Sequence, residues 1–250
     1  MMSKLIKLLA RNRRPTERPR ALETSGDETT IYLYDAIVAD DDTAEWWGGV
    51  SAQSLVPQIR GIQGGTVNLR INSPGGDVFA AQSIVAAIRD TGAKVIAHID
   101  GVAASAATVI ASAADEVVMS DGAMYMIHCA WTVAIGNAED LTATADLLDK
   151  TDGVIASQYA KRSGKSVDDM KAYMSAETWF TAQEAVDVGL VDRIAENAPK
   201  AQASWDLSAY ANAPKPSASA APEPPIDAIT AEHRERQQQR LRMLNRLNHQ

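Results

Sequence analysis

The stretch Lys94-Val-Ile-Ala-His-Ile-Asp-Gly-Val-Ala-Ala-Ser105-Ala-Ala107 decides how this chain is read. It begins as a β-type run, Lys94 to Ile99, breaks at Gly101, and passes through small residues into a helical pattern, Ser105 to Ala113. The same order occurs upstream: Thr66 to Ile71 reads as a strand, Asn72-Ser-Pro-Gly-Gly-Asp77 as a turn, and Val78 to Asp90 as a helix. Further β-type runs lie at Ile31 to Val38, Glu116 to Met119 and Met124 to His128. Further helical patterns lie at Ala52 to Arg60 and, conspicuously long, Ala138 to Arg162. Strands alternating with helices predict an α/β domain of parallel strands and crossover helices, here over residues 28–197.

Helix ends carry their own chemistry. Thr181-Ala-Gln-Glu184 sets a hydroxyl three residues before a carboxylate, so each satisfies a backbone donor at a helix start, and Gly189 supplies the stop. Asn137 with Asp140, and Ser166 with Asp169, mark two more starts.

Outside that domain the composition changes. The first twenty residues hold seven basic side chains against Glu17 alone, whereas the 250-residue chain has a formal charge of -8. Residues 1–27 are expected to form a basic, flexible segment; a basic amphipathic helix touching a membrane or nucleic acid is the other reading. The apolar stretch Leu5 to Leu9 is too short and too broken to span a membrane. The acidic body argues against nucleic-acid binding by the folded domain, since phosphate contacts need clustered Lys and Arg. Residues 198–225, rich in Ala, Pro and Ser, read as a disordered linker. Residues 226–250 read as a helical interaction tail, with Leu241, Leu244 and Leu247 on one face. A single cysteine, Cys129, excludes an intramolecular disulfide framework and a cysteine-rich zinc site and fits a cytoplasmic location. Neither a cofactor nor a metal is expected.

Two stretches carry chemistry. The glycines of Ser73-Pro-Gly-Gly76 let the backbone turn sharply and bring amide donors close to a ligand, although many such turns merely connect elements. Ser105, at a helix start among alanines, can place an oxyanion against unpaired amides; close helix packing also favours such small residues. A serine hydroxyl needs a base. Of the four histidines, His233 and His249 lie in the tail, His98 sits inside a strand, and His128 ends the apolar run Met124-Tyr-Met-Ile. Cys129 should face away from His128, because neighbours on a strand point to opposite faces.

Four ordered stretches resemble the Clp protease proteolytic subunit family over about Ile31 to Ile194. They are Ile71-Asn-Ser-Pro-Gly-Gly76, Gly101-Val-Ala-Ala-Ser-Ala-Ala107, Met126-Ile-His128 and Phe180-Thr-Ala-Gln-Glu-Ala-Val-Asp-Val-Gly-Leu-Val-Asp192. The resemblance implies a crotonase-like spiral of ββα units with Ala138 to Arg162 as a handle helix. It implies a serine endopeptidase with Ser105 as nucleophile, His128 as base, and Gly76 and Ala106 as oxyanion-hole donors. The family's third residue, usually aspartate, aligns with Glu177, with Asp168 and Asp169 as fallbacks. It further implies a homo-oligomeric ring acting on protein or peptide substrates. An unfoldase partner is left open, since the chain has no nucleotide-binding loop of its own. Trp46-Trp47-Gly-Gly-Val50, Asp77 and Asn137-Ala-Glu-Asp140 look like phage-encoded head maturation proteases, whose substrates are capsid or scaffold proteins. The rival readings are a housekeeping subunit working with an unfoldase, a crotonase-type acyl-CoA enzyme and a non-catalytic scaffolding protein.

Overall fold

A computed structural model describes residues 4–12, 22–196 and 205–214. The tail helix expected at 226–250 lies outside the described residues. In chain order the elements are α1 (Lys4–Asn12), β1 (Leu22–Ser25), β2 (Glu28–Leu33), β3 (Ile37–Val38), α2 (Asp41–Trp47), β4 (Val50–Ser51), α3 (Ala52–Arg60), β5 (Thr66–Ser73), α4 (Val78–Asp90), β6 (Lys94–Ala104), α5 (Ala106–Ala111), β7 (Glu116–Met119), β8 (Met124–Ile127), α6 (Ala138–Ser163), α7 (Val167–Ser175), β9 (Thr178–Thr181), α8 (Ala182–Val188) and β10 (Arg193–Ile194).

Strands β1, β2, β5, β6, β7 and β10 lie side by side, and all but the β1–β2 hairpin pair in parallel. The α/β architecture expected from the sequence is the one observed. Parallel strands need crossovers that cover the sheet, and the pleat shows which face is covered. Along β5, Val67, Leu69, Ile71 and Ser73 are buried, whereas Thr66, Asn68, Arg70 and Asn72 are only half-buried. The buried row joins Ile84 and Ile88 of α4, Leu55 and Ile59 of α3 and Ile110 of α5 in one core. Each such fully buried side chain contributes roughly 1.5–3 kcal/mol.

Strand β6 divides the sheet. Its first half pairs with β7 and its last residues, Val102 to Ala104, pair in parallel with β8, which in turn pairs antiparallel with β9. The β5–β6 register shifts between Ile71 and Ser73. The predicted helix starts all hold: Asn137, Ser166 and Thr181 each form a reciprocal capping box, with Asp140, Asp169 and Glu184 respectively, and Gly189 ends α8 in the left-handed conformation. Hydrogen bonds to Ser166 hold the Asp169 carboxyl below its ordinary pKa, so this fallback residue serves as a helix cap.

Two expectations for the flanks need correction. The basic N-terminal segment contains a helix, α1, whose Leu8 and Leu9 are buried against the domain, and a strand, β1. Within the stretch read as linker, residues 205–214 pack on the protein with Trp205 and Tyr210 each 8% exposed. Two large aromatic side chains bury enough apolar surface to order a segment whose Ala, Pro and Ser content alone would leave it loose.

Candidate active site

Ser105 stands alone between the end of β6 and the start of α5, at φ 55° and ψ −124°. A positive φ at a residue with a Cβ costs on the order of 1–3 kcal/mol and persists only where neighbouring contacts enforce it. Here they do. The Ser105 N–H donates to the Met126 carbonyl at 2.9 Å, tying the serine to β8. Its carbonyl accepts from Thr108 Oγ1 at 2.5 Å, and Thr108 Oγ1 lies 2.6 Å from the Tyr159 hydroxyl on α6. The Tyr125 hydroxyl donates to the Thr108 carbonyl at 3.2 Å. Burial pushes Tyr159 and Tyr125 well above the ordinary phenol range, so both remain neutral.

The same pairing places the histidine. Ala104 is opposite Met126 in the β6–β8 register, and His128 follows two residues later, beyond the end of β8. His128 Nε2 lies 2.7 Å from Ser105 Oγ. Cys129, next in the chain, packs against the core instead, with burial and then Asp152 raising its thiol to about 11. A thiol held protonated is a poor nucleophile.

The paired glycines close the site from the β5 side. Ile37 of β3 bridges to Gly76, donating its N–H to the Gly75 carbonyl at 2.8 Å and accepting from the Asp77 N–H at 2.9 Å. Gly75 (φ +91°) and Gly76 (φ +150°) have no room for a side chain. A Cβ on Gly75 would lie 2.8 Å from Ser105 Cβ, and one on Gly76 would lie 2.0 Å from the Ile37 carbonyl oxygen. Ala106 is the first residue of α5, where the helix itself leaves N–H groups without intrahelical partners.

Glu177 follows α7 at φ 46°, immediately before β9. Its carboxylate accepts the N–H groups of Ala211 (3.1 Å) and Asn212 (2.6 Å). The segment carrying those amides went unrecognised in the sequence. Tyr210 packs edge-on against His128, with ring centroids 5.4 Å apart, and against Trp179 at 5.8 Å; its hydroxyl donates to the Pro74 carbonyl. The signal available was a Trp and a Tyr inside an otherwise Ala-, Pro- and Ser-rich stretch.

Among the described residues, no group of three or more His, Cys, Asp or Glu side chains could hold a metal ion, and no helix is long and apolar enough to cross a membrane.

A family model described as Clp protease matches residues 49–198, a span that includes both stretches meeting at Ser105 and His128. The chain belongs to the Clp protease family. Curated relatives include the ATP-dependent Clp protease proteolytic subunits of Streptococcus pneumoniae strains Hungary19A-6 and CGSP14. Each is 34% identical over 135 residues, which cover 52% of this chain and 69% of the relative. This Clp-family protein is accordingly a serine peptidase. The matched region ends at residue 198, before residues 205–214.

Proposed function

We propose that the chain cleaves peptide bonds by acyl-enzyme chemistry centred on Ser105. The observation that carries this reading is the 2.7 Å contact between His128 Nε2 and Ser105 Oγ, within the range required for proton transfer from a nucleophile to its base. With the neutral imidazole protonated on Nδ1, Nε2 accepts the hydroxyl proton as Ser105 Oγ bonds to the scissile carbonyl carbon. The resulting oxyanion is held by the N–H groups of Gly76 and Ala106. His128 then protonates the leaving amine, and water drawn to the same nitrogen releases the acyl group. Glu177 is the residue that orients the imidazole, in the place where the family usually has aspartate.

The protein acts as a ring of identical subunits. Val133 and Ile135 ahead of α6, and Leu141, Leu147 and Val154 along it, are large apolar side chains open to solvent, with Ile135 96% exposed. Such a row is expected to be covered by another copy. Its biological role is phage prohead maturation, with capsid or scaffold proteins as substrates in the host cytoplasm. Supporting this are the Trp46-Trp47-Gly-Gly-Val50 segment and the extension beyond the family-matched region. Asp77 and Asn137 carry less weight, because each caps a helix and has a local reason to be present. The test is co-expression with phage capsid and scaffold proteins. Maturation-type cleavage that disappears with Ser105→Ala supports the role. Intact capsid proteins, together with degradation of unfolded protein only in the presence of an unfoldase, would assign the housekeeping role instead.

A further inference from the structure

We propose that residues 205–214 are a tethered ligand of the substrate groove, a strap that seats Tyr210 where a substrate's side chain and scissile carbonyl must go. This rests on the reading of Ser105 as nucleophile and adds what controls access to it. The register aligns Ala104, Met126 and Trp179 as neighbours across β6, β8 and β9. These three side chains form an apolar shelf beside His128. Tyr210 lies on that shelf, clustered with Ala104 and Met126 and touching both Trp179 and His128 with its ring. Its hydroxyl reaches the Pro74 carbonyl, two residues before Gly76. A reacting carbonyl must sit within about 3 Å of both the nucleophile and its oxyanion donors, and a tyrosine packed on His128 and bonded to the Pro74 carbonyl stands in the path of a substrate approaching that place.

The strap is held at both ends. Asn12 on α1 exchanges two hydrogen bonds with Asp206, accepting its N–H at 2.7 Å and donating to its carbonyl at 2.9 Å. Trp205 Nε1 donates to Asn72 Oδ1 at 3.0 Å. At the other end Glu177 takes the Ala211 and Asn212 amides, so the carboxylate expected to orient His128 is also what grips the strap. The fit is incomplete: the buried Trp179 Nε1–H finds no acceptor among the described residues. A substrate carbonyl placed there would satisfy it, giving a peptide an interaction that the strap lacks. Only eight residues, 197–204, join Glu196 to Trp205. A tether this short sets an effective concentration in the millimolar range, enough to fill the groove even if the free segment binds weakly. The ligand class is therefore a peptide segment with an aromatic side chain, supplied by this chain and displaced by substrate.

The test uses the full-length protein and Tyr210→Ala, with folding checked by circular dichroism. The rate of fluorophosphonate labelling at Ser105 should rise at least tenfold in the variant. A synthetic peptide spanning residues 205–214 should bind the variant, measured by fluorescence anisotropy, and bring labelling back toward the wild-type rate; the same peptide with alanine for Tyr210 should not. Equal or slower labelling in a folded variant that does not bind the peptide would overturn the strap while leaving Ser105 as nucleophile. No labelling in either protein would instead count against the catalytic reading, and peptide binding alone would then decide on the strap. Should the variant not fold, hydrogen exchange on the wild type decides. A peptide boronate on Ser105 should speed exchange at Ala211 and Asn212, and unchanged rates would refute displacement.

Discussion

Replacing Gly75 by alanine tests whether the paired-glycine turn and the nucleophile are built as one unit. At φ +91° an L residue is strained by roughly 1–2 kcal/mol. The new methyl would also lie 2.5 Å from the Ala104 carbonyl oxygen and 2.8 Å from Ser105 Cβ. Neither neighbour can yield by turning a flexible side chain, so overpacking adds about 1–3 kcal/mol. The sum, about 2–5 kcal/mol, is a large part of the roughly 5–15 kcal/mol that holds a typical domain together. With a urea slope near 2 kcal/mol per molar, the midpoint should fall by about 1–2.5 M. Ser105 would be pushed away from His128, and a misplacement approaching 1 Å costs on the order of a hundredfold in rate. Gly92→Ala is the control: its φ is +63°, with nothing within 4 Å of the added Cβ. It should lose only about 1 kcal/mol and label normally with fluorophosphonate. If Gly75→Ala unfolds at the same urea concentration as the control and labels as fast as wild type, the paired-glycine turn and Ser105 are not built as one unit.

Tyr159→Phe removes the hydroxyl 2.6 Å from Thr108 Oγ1. It should cost about 1 kcal/mol and slow Ser105 labelling several-fold, as measured by denaturant titration and labelling kinetics; an unchanged labelling rate would show that this network does not hold Ser105 in place. Burial, and then the Arg70 guanidinium, hold His98 below its ordinary pKa of 6.5. The unfolded chain therefore takes up that proton first, so the stabilisation from a neutral His98 is complete above about pH 6.5 and is lost as the pH falls through the lower folded-state value. His98→Gln should make the fall in urea midpoint between about pH 7 and pH 5 shallower, and parallel curves would contradict this. Cys129, with its thiol raised to about 11, should react with iodoacetamide at pH 8 at least tenfold more slowly than free cysteine, and Cys129→Ala should keep peptidase activity.

The parts of the fold set by local rules are legible in the sequence. The capping boxes at Asn137, Ser166 and Thr181 need only residues three apart, and the buried strands β5 to β8 announce themselves by apolar runs. The meeting of Ser105 with His128 was inferred from motif order, because the β6–β8 pairing that brings them together spans residues more than twenty positions apart. Less legible were contacts whose partners lie far off in the chain. Asn12 pairs with Asp206, and Tyr210 reaches Pro74; nothing in the local composition of either segment encodes such a partner. The Ala/Pro/Ser bias of 198–225 argued for disorder, and two aromatic side chains were enough to overrule it over 205–214. Glu177 stands between these cases: its position was found by alignment with the family, while its hold on the Ala211 and Asn212 amides depends on the strap.

The most direct test of the central claim is peptide mapping after fluorophosphonate treatment of wild type, Ser105→Ala and His128→Ala. An activated serine predicts a single modified site at Ser105 in wild type, none in Ser105→Ala, and a rate at least a hundredfold lower in His128→Ala. Labelling at another residue, or undiminished labelling of Ser105 without His128, would contradict the account.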